Sequence, residues 1–158
     1  MNIRRAQDTD LSAINRLLSQ VLEVHHRGRP DIFKTGTKKY TDGEILAILK
    51  NEETPVFVAE DAEGKVCGYA FCVFQTPQSH VLTPIKTLYI DDLCVDESTR
   101  GTGVGRALYE HVLSFAKKAD CYNVTLNVWA CNEGALRFYE RLGLRPQKIG
   151  METILDKN

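Results

Sequence analysis

No uninterrupted apolar run in the 158 residues approaches the roughly 18 that a membrane span needs, so the chain is not expected to cross a bilayer. The opening stretch MNIRRAQDTD meets charge at Arg4, Arg5 and Asp8, which leaves no room for the apolar region of a signal peptide. Neither charge sign dominates. Twenty Lys and Arg face 21 Asp and Glu, for a net charge of −1, so the chain as a whole shows no nucleic-acid footprint, although a local basic patch stays open. C-x-x-C spacing is also missing: the five cysteines, 67, 72, 94, 121 and 131, are an odd count with no zinc-site pattern. They read as small buried hydrophobes in a reducing compartment. The adjacent His25 and His26 do not share a helix face, so no metal site is expected. These absences point to a cytoplasmic address with no membrane, nucleic-acid or metal partner.

What is present is ordinary globular material, with 43% hydrophobic and 26% charged residues. The length suits one compact domain over residues 1–158. MNIRRA reads as a strand, and Asp8 or Asp10 as a helix cap after it. Leu11, Ile14, Leu18, Val21 and Leu22 recur at helical spacing until Gly28 and Pro30 break the pattern. TDGEILAILKN is a second short helix with Ile45, Ile48 and Leu49 on its apolar side. PVFVAED and KVCGYAFCVFQ, separated by AEGK, read as a hairpin, and IKTLYIDDLCVDE as a long strand. From Gly103 to about Ala119 the period is helical again, with Ala107, Leu108, Val112, Phe115, Ala116 and Ala119 on one face. NVTLNVW alternates as a strand, NEGALRFYERLG is a helix stopped at Gly143, and GMETILDK reads as a closing strand. The order suggests one α/β domain around a mixed sheet.

The densest signal is VDESTRGTGVGRAL, with glycines at 101, 103 and 105. A nucleotide P-loop requires G-x-x-x-x-G-K-[ST], and no G-K-[ST] follows here. A dinucleotide fingerprint requires G-x-G-x-x-G, and the third glycine comes one residue early, between strands that belong to hairpins. A strand ending near Val95, a turn and a helix N-terminus remain. The unpaired N–H groups and partial positive charge of that terminus suit a pyrophosphate, with Arg100 and Arg106 adding charge. A glycine-rich turn that merely connects strand to helix is the plain alternative.

The spacing Arg100-x-x-Gly103-x-Gly105 resembles the Q/R-x-x-G-x-G/A acetyl-CoA motif of the GNAT N-acetyltransferase superfamily. NEGALRFYERLGL is similar to that family's second signature, N-x-x-A-x-x-F-Y-E-x-x-G-F, with Leu144 in place of the usual Phe. The two motifs lie in the C-terminal half, and residues 1–90 match only in element order. The resemblance implies a central mixed, mostly antiparallel sheet flanked by helices, and acetyl transfer from acetyl-CoA to an amine by direct attack.

In family terms the pyrophosphate falls to the backbone N–H groups around Gly101, Thr102, Gly103, Val104, Gly105 and Arg106, beside Arg100. Asn132 and Ala135 line the other side of the cofactor arm, although Asn132 also reads as a simple helix cap. A splayed central strand offers backbone groups at Leu93, Cys94 and Val95 to polarise the thioester carbonyl. An amine of pKa about 10.4 is neutral in only about 1 in 2,500 molecules at pH 7, so a base would help. Strand alternation puts Asp91 and Asp92 on opposite faces, so that only one points to the cleft. The resemblance favours Asp91, with Asp92 as the second candidate; binding of substrate charge alone is the plain reading of both. Tyr139 matches the family's general acid, a reasonable proton donor to a leaving thiolate. Without that pattern, Phe138 and Tyr139 read as core aromatics.

The acceptor is expected at VHHRGRPDIFKTGTKKY and QTPQSHVLTPIK, with His26, Arg29, Phe33 and Asp91 as candidate binding residues. A solvated charged face is the plain reading of the first segment. The sequence does not choose among polyamine, amino acid, aminoglycoside and peptide. Two other readings stand beside the enzyme: an acyl-CoA-binding sensor of the same fold without efficient turnover, and a bare α/β domain. The resemblance also offers a homodimer through the C-terminal strands, on which METILDK gives no sign either way.

Overall fold

The structure is a computed structural model, in which residues 1–155 are described. The described residues form two compact units, one over residues 1–127 and one from residue 128 onward. In the first, β1 (Asn2–Arg5) leads into α1 (Leu11–Gly28) and α2 (Asp42–Lys50). There follow β2 (Val56–Glu60), β3 (Val66–Gln75), β4 (Thr87–Val95), α3 (Val104–Lys118) and β5 (Asn123–Leu126). The sheet order is β1-β2-β3-β4-β5, antiparallel except for the parallel β4–β5 pair. The sheet is therefore mixed, as the element order suggests, and mostly antiparallel, as the family resemblance implies.

The helices form where their periods direct. Ile14, Leu17 and Leu18 of α1, with Ile45 and Leu49 of α2, are buried against Val56, Val58, Tyr69 and Phe71 on one face of the sheet. α2 is opened by a reciprocal cap: Thr41 accepts the Glu44 N–H while the Glu44 carboxylate accepts the Thr41 N–H. On the opposite face α3 buries Leu108, Val112 and Ala116, and the Phe115 ring meets Phe57 edge-on at 5.0 Å. Burial of each such aliphatic side chain is worth roughly 1.5–3 kcal/mol, so the two amphipathic faces hold the layers to the sheet.

Gly68 of β3 sets how closely α3 approaches. A Cβ there would lie 3.0 Å from the Cys94 carbonyl oxygen, 3.0 Å from Leu108 Cδ1 and 3.2 Å from Val104 Cγ1. The first turn of α3 thus rests directly on the strand backbone.

The second unit carries α4 (Glu133–Arg141), capped by the Asn132 side chain. The closing strand expected over 150–157 is not observed. None of residues 150–155 is in a strand, and Met151, Ile154 and Leu155 are exposed; Asp156 and Lys157 lie outside the described residues. A strand exists only through a ladder partner, and no described residue pairs with this segment. For the same reason the strand expected over 123–129 stops at Leu126, where pairing with β4 ends.

Candidate active site

The β3–β4 ladder slips at one point. Phe71 pairs with Asp92 and Cys72 with Ile90, which leaves Asp91 as the extra, bulged residue. A bulge cancels the alternation of faces, and here it turns Asp91 to the same side as Asp92. The expectation that the two acids face opposite ways is thereby corrected. Both carboxylates meet the Lys39 ammonium, Asp91 Oδ2 at 2.9 Å and Asp92 Oδ2 at 3.4 Å. Tyr40 donates its hydroxyl to Asp91 Oδ2 at 2.8 Å, and Tyr69 donates to Asp92 Oδ2 at 3.2 Å. Phe71 backs the group, stacked on Tyr40 at 5.9 Å and edge-on to Tyr69 at 5.1 Å.

The two acids differ in solvation. The Asp92 side chain is 8% exposed and that of Asp91 31%. Burial pushes the Asp92 carboxyl above the usual carboxylate range, against the pull of Lys39. Burial works against the Lys39 charge too, yet Asp92 and Asp91 together hold its pKa above the ordinary lysine value. Tyr40 is pushed up to about 12, by burial and then by its bond to Asp91. Burial pushes Tyr69 well above the ordinary tyrosine value. The cluster thus presents a solvent-reachable acid beside a deeper one, both hydrogen-bonded by phenols that stay protonated. Such a group can hold an ammonium in its charged form.

Beyond the bulge β4 has an open edge. β5 pairs with it only over Thr87–Ile90. Asp96 donates its N–H to the Cys67 carbonyl at 2.9 Å, so antiparallel alternation turns Cys94 toward β3 and the peptide groups of Leu93 and Val95 away from it. Of the three predicted backbone positions, Leu93 and Val95 therefore lie on the open edge. The Cys94 thiol is buried, which pushes it up to about 12, and it donates to the Leu17 carbonyl. It is no nucleophile at neutral pH.

The glycine turn follows. Asp96 anchors it: Arg16 pairs with its carboxylate, which also accepts from the N–H and hydroxyl of Ser98. Arg100 Nε donates to the Val95 carbonyl at 3.3 Å. Gly101 and Gly103 have φ of 81° and 95°, in the left-handed region that glycine alone enters freely. Gly103 caps α3, whose first intrahelical bond is Ala107 N–H to Gly103 C=O. Helix geometry then leaves the N–H groups of Gly103, Val104, Gly105 and Arg106 without intrahelical acceptors. Apart from the chain neighbours, no atom of the described residues lies within 4 Å of where a Cβ would stand at Gly101 or Gly103, so that terminus is sterically open. The N–H groups of Arg100 and Thr102 are instead turned into the loop, toward Glu97 and Thr99. An open helix N-terminus with four free donors fits the pyrophosphate of coenzyme A.

The other predicted residues are placed as follows. His26 Nδ1 lies 2.7 Å from the Phe33 carbonyl oxygen, and Arg29 pairs with Asp31 at 2.7 Å. Both contacts brace the segment that runs from α1 toward Lys39. The Phe33 ring packs on His25 at 4.9 Å. In the second unit, Asn132 Oδ1 accepts the Ala135 N–H at 3.1 Å, so these two satisfy each other as the α4 cap. Tyr139 lies on α4 with its ring 5.0 Å from Phe138. Sequence reasoning missed Lys39 and Tyr69. Nothing distinguished Lys39 from Lys38, which pairs with Asp42. For Tyr69 the signal was only a tyrosine in an otherwise apolar strand. Among the described residues no set of three or more His, Cys, Asp or Glu is placed to hold a metal, and no helix is long and apolar enough to cross a membrane.

Residues 18–144 match the sequence profile of the Acetyltransferase (GNAT) family. A mutant of the BH1408 protein from Bacillus halodurans, known by crystal structure, superposes with a TM-score of 0.94 at 35% identity, covering 98% of this chain and 99% of that one. Glucosamine 6-phosphate N-acetyltransferase from Trypanosoma brucei brucei is 25% identical over 155 residues, 98% of this chain and 96% of its own. An uncharacterised N-acetyltransferase from Methanocaldococcus jannaschii is 30% identical over 112 residues, which are 71% of this chain; the chain spans about half of that relative, 48%. With an open strand edge leading into a glycine-opened helix, and a match over most of its length, the chain belongs to the Acetyltransferase (GNAT) family, whose members are acetyl-CoA-dependent N-acetyltransferases.

Proposed function

We propose that the chain, acting as one domain over residues 1–158, transfers an acetyl group from acetyl-CoA to a primary amine by direct attack in a ternary complex. The observation that carries this reading is the bulge in β4, which sets two consecutive carboxylates on one ammonium immediately before the open strand edge and the α3 N-terminus. When bound, acetyl-CoA supplies the activated acetyl thioester. The N–H groups of Gly103, Val104, Gly105 and Arg106 would hold its pyrophosphate, with the charge of Arg106 beside them, and Asn132 and Ala135 would line its arm. The open-edge N–H groups of Leu93 and Val95 would be the hydrogen-bond donors available to its thioester carbonyl oxygen, a contribution of a few kcal/mol.

Asp91 is the proton acceptor for the bound ammonium, directly or through water, because it is the acid of the pair that solvent reaches and can relay the proton away from. Asp92, deeper and held in place by the Tyr69 hydroxyl, is the second carboxylate on the ammonium. Tyr139 protonates the departing thiolate, since a phenol of pKa near 10 is matched to a thiol near 8.5. The acceptor is an amine that binds as a cation, seated between the acid pair and the segment bearing His26, Arg29 and Phe33. Buried thiols at Cys67, Cys72 and Cys94 suit a reducing, cytoplasmic setting.

The test is a thiol-release assay on a panel of amines: a polyamine, an amino acid, glucosamine 6-phosphate, an aminoglycoside and a lysyl peptide. Turnover of at least one is expected, with Tyr139→Phe lowering kcat by about 10²-fold or more and leaving acetyl-CoA affinity nearly intact. Binding of acetyl-CoA without turnover of any amine would overturn the reading, and a wild-type rate in Tyr139→Phe would remove the acid role.

A further inference from the structure

The group that already sits on the acid pair belongs to the chain itself. Lys39 reaches Asp91 and Asp92 from the stretch between α1 and α2, with its ammonium 5.3 Å from the centre of the Tyr40 ring. Two carboxylates and an aromatic face are what a substrate ammonium would meet in the same place. The contact is long-range in sequence and confined to the end of one side chain. Tyr40 and Tyr69 hold Asp91 and Asp92 through their own hydroxyls, so the acids keep their positions when the ammonium leaves. A lysine stem with four rotatable bonds vacates the seat without any movement of the backbone. The side chain is 35% exposed, which leaves it a path to water.

We propose that Lys39 is a tethered occupant of the acceptor-ammonium seat, which every cationic acceptor must displace, and that it thereby sets the enzyme's selectivity among amines. This rests on the acetyl-transfer reading above. An amine that bears a single weakly held ammonium competes poorly with a tethered one. An acceptor with further anchoring groups, reaching the segment that ends at Lys39, wins the exchange. The apparent affinity for any acceptor falls by the fraction of time the seat is empty: a seat filled nine-tenths of the time weakens binding about tenfold.

n-Butylamine, which copies the lysine side chain from Cβ outward, is the direct probe. Lys39→Ala vacates the space that this molecule fills. With saturating acetyl-CoA, Lys39→Ala is expected to form N-butylacetamide with a KM at least about tenfold lower than wild type and a kcat changed far less. Lys39→Arg keeps the competing charge and is expected to show no such gain. Lys39→Met removes the competing charge from a flexible side chain that can swing aside, and gives the same direction of change should the alanine variant lose stability. A KM for n-butylamine that is unchanged or raised in Lys39→Ala and Lys39→Met, with acetyl-CoA binding and Tm intact, would overturn the proposal. Calorimetry of n-butylamine binding separates it from the reaction itself. If no amine is turned over but Lys39→Ala binds n-butylamine at least about tenfold more tightly than wild type, the occupant role stands and acetyl transfer fails. Equal binding by the two proteins overturns the occupant role.

Discussion

Asp96 shows how one side chain sets the geometry of the cofactor turn. Burial opposes its charge, but the hydroxyl and N–H of Ser98 and the Arg16 guanidinium outweigh it and hold the pKa down to about 2. A carboxylate depressed in the folded state stabilises the fold above its unfolded value of about 3.9, and the contribution is lost as pH falls through about 2. Asp96→Asn is therefore expected to lower Tm by a few degrees at pH 7, and the gap to wild type should close between about pH 4 and 2. Thermal melts across that range test it; a gap that persists at pH 2 would mean that shape rather than charge holds the turn. Asp91 and Asp92 teach the complementary lesson. Their identity was legible as a pair of candidate acids, but their common direction was not, because alternation in β4 is undone by a one-residue slip against β3. Lys39 lay within the segment expected to meet the acceptor but was not singled out, since its partners lie more than fifty positions away.

Among elements, α3 does two jobs that separate experimentally. Its contact with β3 depends on the missing side chain of Gly68, where a Cβ would press on Cys94, Leu108 and Val104. Gly68→Ala is expected to cost about 1–3 kcal/mol of stability, read from denaturant unfolding, because backbone and helix must part to admit a methyl group. Its N-terminus depends on Gly103, which stands in open space with φ of 95°. Gly103→Glu adds backbone strain of about 1–2 kcal/mol and puts bulk and negative charge where four N–H groups converge. A loss of acetyl-CoA affinity by calorimetry well beyond that of Gly68→Ala is expected; unchanged affinity would move the pyrophosphate site elsewhere. The helices themselves were readable from the chain. Ile14 and Leu18, Ile45 and Leu49, and Leu108, Val112 and Ala116 all take the buried side their spacing assigns. The strand read into GMETILDK was not, since alternation describes a segment able to join a sheet and says nothing about an available partner.

For the whole molecule, cofactor binding should appear as stability. A ligand that binds only the folded chain adds about 2.7 kcal/mol at a hundred times its dissociation constant. In a chain of this size that raises Tm by roughly 5–10 °C. Differential scanning calorimetry with acetyl-CoA measures it, and a Tm that does not move would exclude binding.

The sequence by itself determined the helices, the glycine turn and its spacing, and the two motifs that mark the family. These are local properties, written in periods of two and 3.6 and in residues that alone tolerate a given backbone angle. Only the tertiary structure decided that β4 bulges at Asp91, that Leu93 and Val95 rather than Cys94 present their backbone to the open edge, and that Lys39 and Tyr69 complete the acid cluster. Register and long-range ion pairs depend on which strand lies beside which and on where a distant segment returns. Those relations arise when the layers pack, and no local stretch of the chain encodes them.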